Sequence, residues 1–255
     1  MGECMNTRFK VFLGLLLFFL FSLSASMVSA ADTYAAPYDA LLHQYVHQGT
    51  KVGITANLVD YGAWAQDQRH AQAMDALVKT DPFKLSSAEA KVFWINTYNL
   101  LTIDLIVKNP DIESIKDLGT LLQSPWKAHS WEIAGKKYTL DDIEHGILRK
   151  MKDPRIHMAI VCASLSCPDI RNEAYQTKTL DSQLDDQARK FLVNSTKGLK
   201  GTPSGLMLSP IFKWFSEDFG GEKGVLVFVR KYGSISSDDK NINDYFDYDW
   251  SLNKP

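Results

Sequence analysis

One stretch of the chain, residues 91–107 (KVFWINTYNLLTIDLIV), is apolar on almost every side of a helix. Ser86 and Glu89 precede it at capping-box spacing, in which the two side chains satisfy the first free backbone N–H groups. Pro110 stops the helix because a proline disfavours helical geometry at the residue before it, Asn109. A helix that is apolar all round is buried on all sides. The sequence therefore predicts a long helix at the centre of the fold.

The other segments indicate the fold class. Apolar periodicity predicts further helices over residues 38–47, 61–78, 140–151, 180–193 and 222–232. Short β-rich runs predict a hairpin over 131–138, a buried strand over 155–162 and a strand or hairpin arm over 205–215. Helices gathered early with strands later indicate α+β rather than an alternating parallel sheet. We expect a single α+β domain, its helical N-terminal half packed on a small, mainly antiparallel sheet.

The first 30 residues have the order of a secretory signal. Arg8 and Lys10 give a positive start, residues 11–23 are an apolar run, and small residues end at 28–30 (Val-Ser-Ala). This charged, apolar, small-residue order predicts cleavage before Ala31. The apolar run is shorter than the ~20 residues of a membrane-spanning helix, although an uncleaved anchor is the alternative. We expect a periplasmic or secreted protein.

The mature chain, residues 31–255, is long enough for a core of its own. The whole sequence has a formal net charge of −2, which gives no reason to expect nucleic acid. No later segment approaches a membrane-spanning length, and the sequence contains no phosphate-binding glycine loop or Gly-x-Ser-x-Gly elbow. We predict no cofactor. The expected partner is a small molecule, a peptide or an envelope protein.

Five stretches resemble the bacterial family called domain of unknown function 547. They are FWINTYNLLT (93–102), LDDIEHGILR (140–149), DPRIHMAIVCASLSCP (153–168), LSPIFKWFSEDF (208–219) and YDWSLN (248–253). Together they cover most of residues 80–255. The resemblance implies a single α+β domain outside the cytoplasm, but no named reaction. A more distant similarity to papain-like thiol enzymes concerns the fold alone, and fold does not carry function.

Glu144 interrupts an apolar helix face. Four residues of the predicted helix share that face: Leu140, Glu144, Ile147 and Met151. A carboxylate there must find a partner or become protonated. Glu144 either forms a buried salt bridge, for example to Arg155 or Arg171, or serves as a catalytic acid or base. His145 projects to the polar side and is interpreted as a surface residue.

Asn96 and Asn99 lie one turn apart on the central helix. Buried amides have to be hydrogen-bonded. They either hold the backbone of a neighbouring loop, such as residues 163–166, or line a pocket. Tyr98 falls on another face of the helix.

The mature chain keeps two cysteines, Cys162 and Cys167. If residues 155–162 form a regular strand, His157 and Cys162 point to opposite faces. Cys167 lies in a loop before Pro168, and a proline suits the first position of a helix. A thiol at such a helix start is more exposed and has a lowered pKa, which favours Cys167 as the reactive cysteine.

The cysteine pair allows three interpretations. A disulfide is common in an oxidising compartment. A nucleophilic Cys167 is the second interpretation, with His157 or His145 as base and Glu144 or an asparagine as the orienting group. A zinc site is the third. The second predicts a thiol-dependent hydrolase or acyl transferase acting on amide or ester bonds, whose binding residues are Asn96, Asn99, His145, Arg155 and Cys162. The first predicts a disulfide-stapled binding module without catalytic activity.

Overall fold

The computed structural model describes residue 1, residues 32–235 and residues 241–255. Apart from Met1, the predicted signal segment 1–30 lies outside the described residues. None of the helices in the described ranges combines the length and the apolar character needed to cross a bilayer.

Helices form most of the regular structure. They are α1 (Asp32–Tyr45), α2 (Tyr61–Ala65), α3 (Gln68–Lys79), α4 (Ser87–Val107), α5 (Pro125–Ala128), α6 (Leu140–Ile143), α7 (Ile156–Ala159), α8 (Leu180–Val193), α9 (Ile211–Trp214) and α10 (Gly221–Tyr232). Short 3-10 turns cover Pro82–Lys84, Ile115–Leu118 and Ser216–Phe219. The predicted helices over 180–193 and 222–232 are confirmed, and the helix over 61–78 is divided into α2 and α3.

Within the described residues the strands form three small sheets rather than one. The strands are β1 (Val46–Lys51), β2 (Ile54–Val59), β3 (Ser130–Ile133), β4 (Lys136–Thr139), β5 (Leu199–Thr202), β6 (Gly205–Leu208) and β7 (Ile242–Tyr245). β1–β2, β3–β4 and β5–β6 are antiparallel pairs, and β7 runs parallel to β6. The α+β class and the 131–138 hairpin are confirmed. The early β1–β2 hairpin was not predicted.

The central position of α4 is confirmed. Every residue from Val92 to Ile106 is buried, and the capping box between Ser86 and Glu89 is formed. The main hydrophobic cluster surrounds this helix. A second cluster packs around α8 and α10. The candidate site lies where these two clusters meet.

The predicted helix over 140–151 is wound in three parts. Thr139 caps α6, and the chain continues as a π-helical turn (Glu144–Leu148) and a 3-10 turn (Arg149–Met151). The Thr139 hydroxyl accepts a bond from the backbone N–H of Asp142. π-helical turns occur frequently at functional sites.

The predicted strand over 155–162 is wrong. Residues Ile156–Ala159 form the single helical turn α7. Asp153 starts this turn, because its carboxylate accepts the backbone N–H of Arg155. After the turn the chain bonds to the side chain of Asn99 instead of to a neighbouring strand. The β-branched and apolar residues here reflect burial, which periodicity cannot distinguish from strand structure.

The aromatic C-terminal segment is part of the fold. Residues 249–253 bond the loop that follows Cys162: Leu165 N–H donates to Ser251 C=O at 2.9 Å, and Asn253 N–H to Ala163 C=O at 2.9 Å. Ser166 N–H likewise donates to Asp249 C=O at 3.2 Å. This pairing places Tyr248 and Trp250 beside the cysteines.

Candidate functional site

A cavity of about 290 Å³ opens between the two hydrophobic clusters. Its walls come from α4, the α6 region, the cysteine loop, α9 and the C-terminal segment. Its lining residues are Tyr98, Ser124, Trp126, Asp141, Glu144, His145, His157, Ile160, Cys162, Cys167, Pro168, Ile211, Trp214, Phe215, Tyr248 and Trp250. The cavity therefore collects most of the titratable residues that the sequence singled out.

Five of the eight predicted site residues line this cavity: Glu144, His145, His157, Cys162 and Cys167. Asn96 and Asn99 are buried behind it and bond backbone. Arg155 is engaged elsewhere, by Asp153, Asp181 and Asp185. None of these three residues lines the cavity. The two asparagines hold backbone, as one of the two alternatives expected, but the backbone belongs to Tyr175 and to residues 159–161 rather than to residues 163–166.

Cys162 is the partly exposed cysteine, and hydrogen-bond donors surround its sulfur. The Ser164 and Tyr248 hydroxyls lie 3.1 Å and 3.4 Å from Cys162 Sγ. The bond from the Cys167 thiol, helped by these hydroxyls, outweighs burial and lowers the pKa of Cys162 to about 6. A thiol with this pKa is mostly a thiolate at neutral pH, and the thiolate is the nucleophilic form.

Cys167 has the opposite character. Its side chain is buried, and its Sγ accepts the backbone N–H of Cys162 at 3.1 Å. Burial, followed by the adjacent Cys162 thiolate, raises the pKa of Cys167. No helix begins at Pro168, so the capping argument that favoured Cys167 is wrong. The expectation of a more exposed and more acidic Cys167 is corrected: those properties belong to Cys162.

Both cysteines carry free thiols. The predicted disulfide is therefore absent between these two described residues. The described part of the chain also contains no group of three His, Cys, Asp or Glu residues placed to hold a metal ion.

Glu144 is buried, as its position on the apolar helix face predicted. Its partner is Tyr98, whose hydroxyl donates to Glu144 Oε2 at 3.1 Å. Burial raises the pKa of Glu144. The expected partners are wrong, because Arg155 pairs with aspartates and Arg171 with Glu173 and Asp186. Tyr98 is a site residue that sequence reasoning missed.

His145 and His157 contact the two members of one ion pair, Arg149 and Asp218. The Arg149 guanidinium donates to Asp218 at 2.5 Å and to His145 Nδ1 at 2.6 Å. His157 Nε2 lies 2.7 Å from Asp218 Oδ2, and its ring stacks on Phe215 at 4.2 Å. Burial lowers the pKa of His157 to about 4, so the ring is neutral at pH 7 and Nε2–H is the donor to Asp218. His145 is exposed, as predicted, at the edge of the cavity.

Ala163, the residue after Cys162, has a left-handed backbone. Its φ is +62° although its side chain is buried. Such a conformation costs of the order of 1–3 kcal/mol in a non-glycine residue and is concentrated at functional sites. The pairing with the C-terminal segment holds it in place. The strained backbone at Ala163 therefore indicates that the conformation of the loop after Cys162 serves a site and does not only stabilise the fold.

Four aromatic rings form one wall of the cavity, here called the aromatic wall: Trp126, Trp214, Tyr248 and Trp250. The Trp214 and Trp250 rings stack at 5.8 Å, and Tyr248 contacts Trp214 at 4.9 Å. Trp214 is 49% exposed. The sequence did not place residues 248–253 at the site, because their contacts with Trp214 and Trp126 join positions more than 30 residues apart.

Comparisons with known proteins give one match. No curated protein and no solved structure matches the chain. The family described as "Protein of unknown function, DUF547" matches residues 82–192, which contain α4, Glu144, His157 and both cysteines. The resembling stretches at 208–219 and 248–253 lie beyond the matched residues. Residues 82–192 are therefore similar to the family "Protein of unknown function, DUF547", over somewhat less than half of the chain.

Proposed function

We propose that the chain is a thiol-dependent hydrolase or acyl transferase acting on amide or ester bonds, with Cys162 as its nucleophile. The observation that carries this proposal is the environment of Cys162. Cys162 is partly exposed and lines a cavity, and its sulfur lies within 3.4 Å of two hydroxyls, with a third donor in Cys167. A stabilised thiolate in an accessible pocket is the arrangement that nucleophilic catalysis requires.

In the proposed reaction the Cys162 thiolate attacks the carbonyl carbon, and the C=O π electrons move to the oxygen. Collapse of this intermediate expels the amine or alcohol and leaves a thioester on Cys162. Water, or an acceptor nucleophile, then attacks the thioester and regenerates the thiolate. A leaving amine needs a proton in the first half, and the attacking water must lose one in the second.

Glu144 is assigned the proton transfers. Burial raises the pKa of its carboxyl above the ordinary value, and the Tyr98 hydroxyl, which donates to Oε2 at 3.1 Å, holds its position. A general acid works best with a pKa near the working pH. His157, with a pKa of about 4, is a weak base at pH 7 and is turned toward Asp218. We therefore assign His157 a positioning role in place of the base role expected from the sequence.

Replacing Glu144 tests this assignment. We expect Glu144→Gln to lose turnover of anilides by about 10²–10⁴-fold, the usual contribution of a general acid or base. The acylation burst with nitrophenyl esters of the same acyl groups is expected to persist, because nitrophenolate leaves without a proton. Stopped-flow absorbance measures both substrates.

The matched control is Glu132→Gln, an exposed carboxylate on β3 that does not line the cavity. An equal loss for esters and anilides would contradict the acid role. Absence of both an ester burst and an anilide turnover in the unmodified protein would contradict the enzyme itself.

A second candidate function is ligand binding without chemistry. The aromatic wall favours it, since exposed rings around a concave pocket are common in binding sites. The disulfide that was expected to staple such a module is not formed between Cys162 and Cys167. A protein of this class binds its ligand equally well after Cys162→Ser and shows no ester burst.

We also infer that the chain is exported to the periplasm or secreted. The charged, apolar and small-residue zones of residues 1–30 support this proposal. Intact-mass analysis of protein from the cell envelope or medium is expected to place the amino terminus at Ala31. A mass that includes residues 1–30 would identify an uncleaved anchor.

A further inference from the structure

Part of the aromatic wall is exposed to solvent, although its rings contact one another. Trp214 is 49% exposed, although its ring stacks on Trp250 and contacts Tyr248. Trp126 meets Trp250 edge-on at 6.0 Å and is only partly buried. A cluster of exposed large apolar side chains marks a binding surface more often than a fold element.

The wall already binds one cation within the chain. The Lys116 ammonium lies 4.1 Å from the centroid of the Trp250 ring. An aromatic face attracts an ammonium through its quadrupole, and tryptophan does so most strongly. The partly exposed Trp214 ring, stacked on Trp250, offers the same chemistry to a ligand in the cavity.

The side chains that line the cavity include two carboxyl groups, whereas the cations Lys116 and Arg149 contact lining rings from outside it. Among the described residues that line it, the carboxylates are Asp141 and Glu144, and none is a lysine or arginine. Asp141 forms an ion pair with Lys127 Nζ at 3.7 Å and lies 3.6 Å from His145 Nε2, at the edge of the cavity. A concave site lined by negative charge concentrates cations and disfavours anionic ligands.

Tyr248 connects the wall to the reactive thiol. Its hydroxyl lies 3.4 Å from Cys162 Sγ, and its ring contacts both Trp214 and Trp250. A substrate whose carbonyl reaches Cys162 therefore extends along Tyr248 toward the exposed ring of Trp214.

We propose that the substrate carries an ammonium group that binds the exposed face of Trp214 in the aromatic wall, with Asp141 supplying negative charge. The proposal rests on the proposed thiol function and names its substrate class: an amide or ester with a primary or quaternary ammonium near the scissile carbonyl. A sugar ring, which also stacks on tryptophan, is the competing ligand.

Calorimetric titration of the mature chain tests the proposal without catalysis. The probes are choline and 3,3-dimethylbutan-1-ol, which have the same shape but differ in charge. We expect choline to bind about tenfold more tightly than the neutral isostere, the effect of a cation–π contact with partial desolvation. Added salt should reduce this difference, since exposed charges are screened.

Substitutions test whether choline binds at Trp214. Trp214→Leu is expected to abolish the preference for choline, and Trp214→Phe to restore part of it. Phe83→Leu changes another exposed aromatic residue, outside the cavity, and should have no effect. Equal binding of the two probes, or tighter binding of methyl glucoside than of choline, would overturn the proposal.

Repeating the titration with Cys162→Ser separates the two proposals. Choline binding should survive this substitution, because Cys162 does not contact the ammonium. A protein that binds choline but forms no acyl-enzyme keeps the ammonium site and loses the thiol mechanism. A protein that forms an acyl-enzyme but does not distinguish the probes loses only the ammonium site.

Discussion

Iodoacetamide is expected to alkylate Cys162 in the native protein and to spare Cys167. Cys162 is a partly exposed residue whose thiol has a pKa of about 6, whereas Cys167 is buried with a raised pKa. Because the thiolate is the reacting form, the rate should be near its plateau at pH 7 and fall about tenfold for each pH unit below 6. Mass spectrometry of the labelled peptides across pH 4.5–9 measures this profile.

Substitutions separate the causes of the low pKa. Cys162→Ser should remove native labelling altogether. Cys167→Ala removes the thiol that donates to Cys162, so the midpoint of the pH profile should move up toward an ordinary thiol pKa. Tyr248→Phe should produce a smaller shift in the same direction, because one of several donors is lost. Faster labelling of Cys167, or a wild-type midpoint between 8 and 9, would refute the assignment of the nucleophile.

The sequence favoured Cys167 as the reactive thiol, whereas the proposed nucleophile is Cys162, and the reason for the difference is physical. The pKa of Cys162 depends on the nearby Cys167 thiol and on hydroxyl donors that include Tyr248, which is 86 residues away along the chain. The argument for Cys167 depended on strand alternation and on a helix start, and neither is formed. A thiol pKa is determined by the donors around it in space, and a single sequence gives no information on those contacts.

Local signals were more reliable. The capping box at Ser86 and the β3–β4 hairpin each involve residues within a few positions of one another, and both were predicted. The burial of Glu144 followed from helix periodicity alone. Its partner Tyr98 did not, because that contact joins two elements 46 residues apart.

The β1–β2 hairpin was missed for a related reason. β1 (Val46–Lys51) has one buried residue and is otherwise mostly exposed, so it lacks the apolar alternation that identifies a strand. Its turn uses Val52 at φ +45° and Gly53 at φ +82°. A β-branched residue with positive φ is rare, and sequence rules do not predict a turn there.

The two asparagines of α4 offer a matched test of how the core positions the site. Asn99 donates to Ala159 C=O at 2.9 Å and accepts Val161 N–H at 2.9 Å. Asn96 bonds both backbone groups of Tyr175 in the same way, at 2.9 Å and 3.0 Å. Each asparagine side chain thus bonds one N–H and one C=O group of a buried segment, as the backbone of a neighbouring strand would. Only the segment that Asn99 bonds, residues 159–161, is followed directly by Cys162.

We expect Asn96→Leu and Asn99→Leu to lower the free energy of unfolding by similar amounts, about 2–6 kcal/mol. Each substitution leaves one buried N–H and one buried C=O without a partner, at about 1–3 kcal/mol for each group. Urea denaturation measures the loss. Asn99→Asp should lose less than Asn99→Leu, because its carboxylate still accepts the Val161 N–H.

The two variants should differ in the reactivity of the Cys162 thiol. Under conditions where both are folded, Asn99→Leu is expected to slow the alkylation of Cys162 several-fold, because residues 159–161 no longer fix the approach of the chain to the cavity. Asn96→Leu should leave the alkylation rate unchanged, since Tyr175 lies beyond the cysteine loop. Equal slowing in both variants would mean that thiol reactivity follows global stability. The central helix would then support the fold without specifically positioning Cys162.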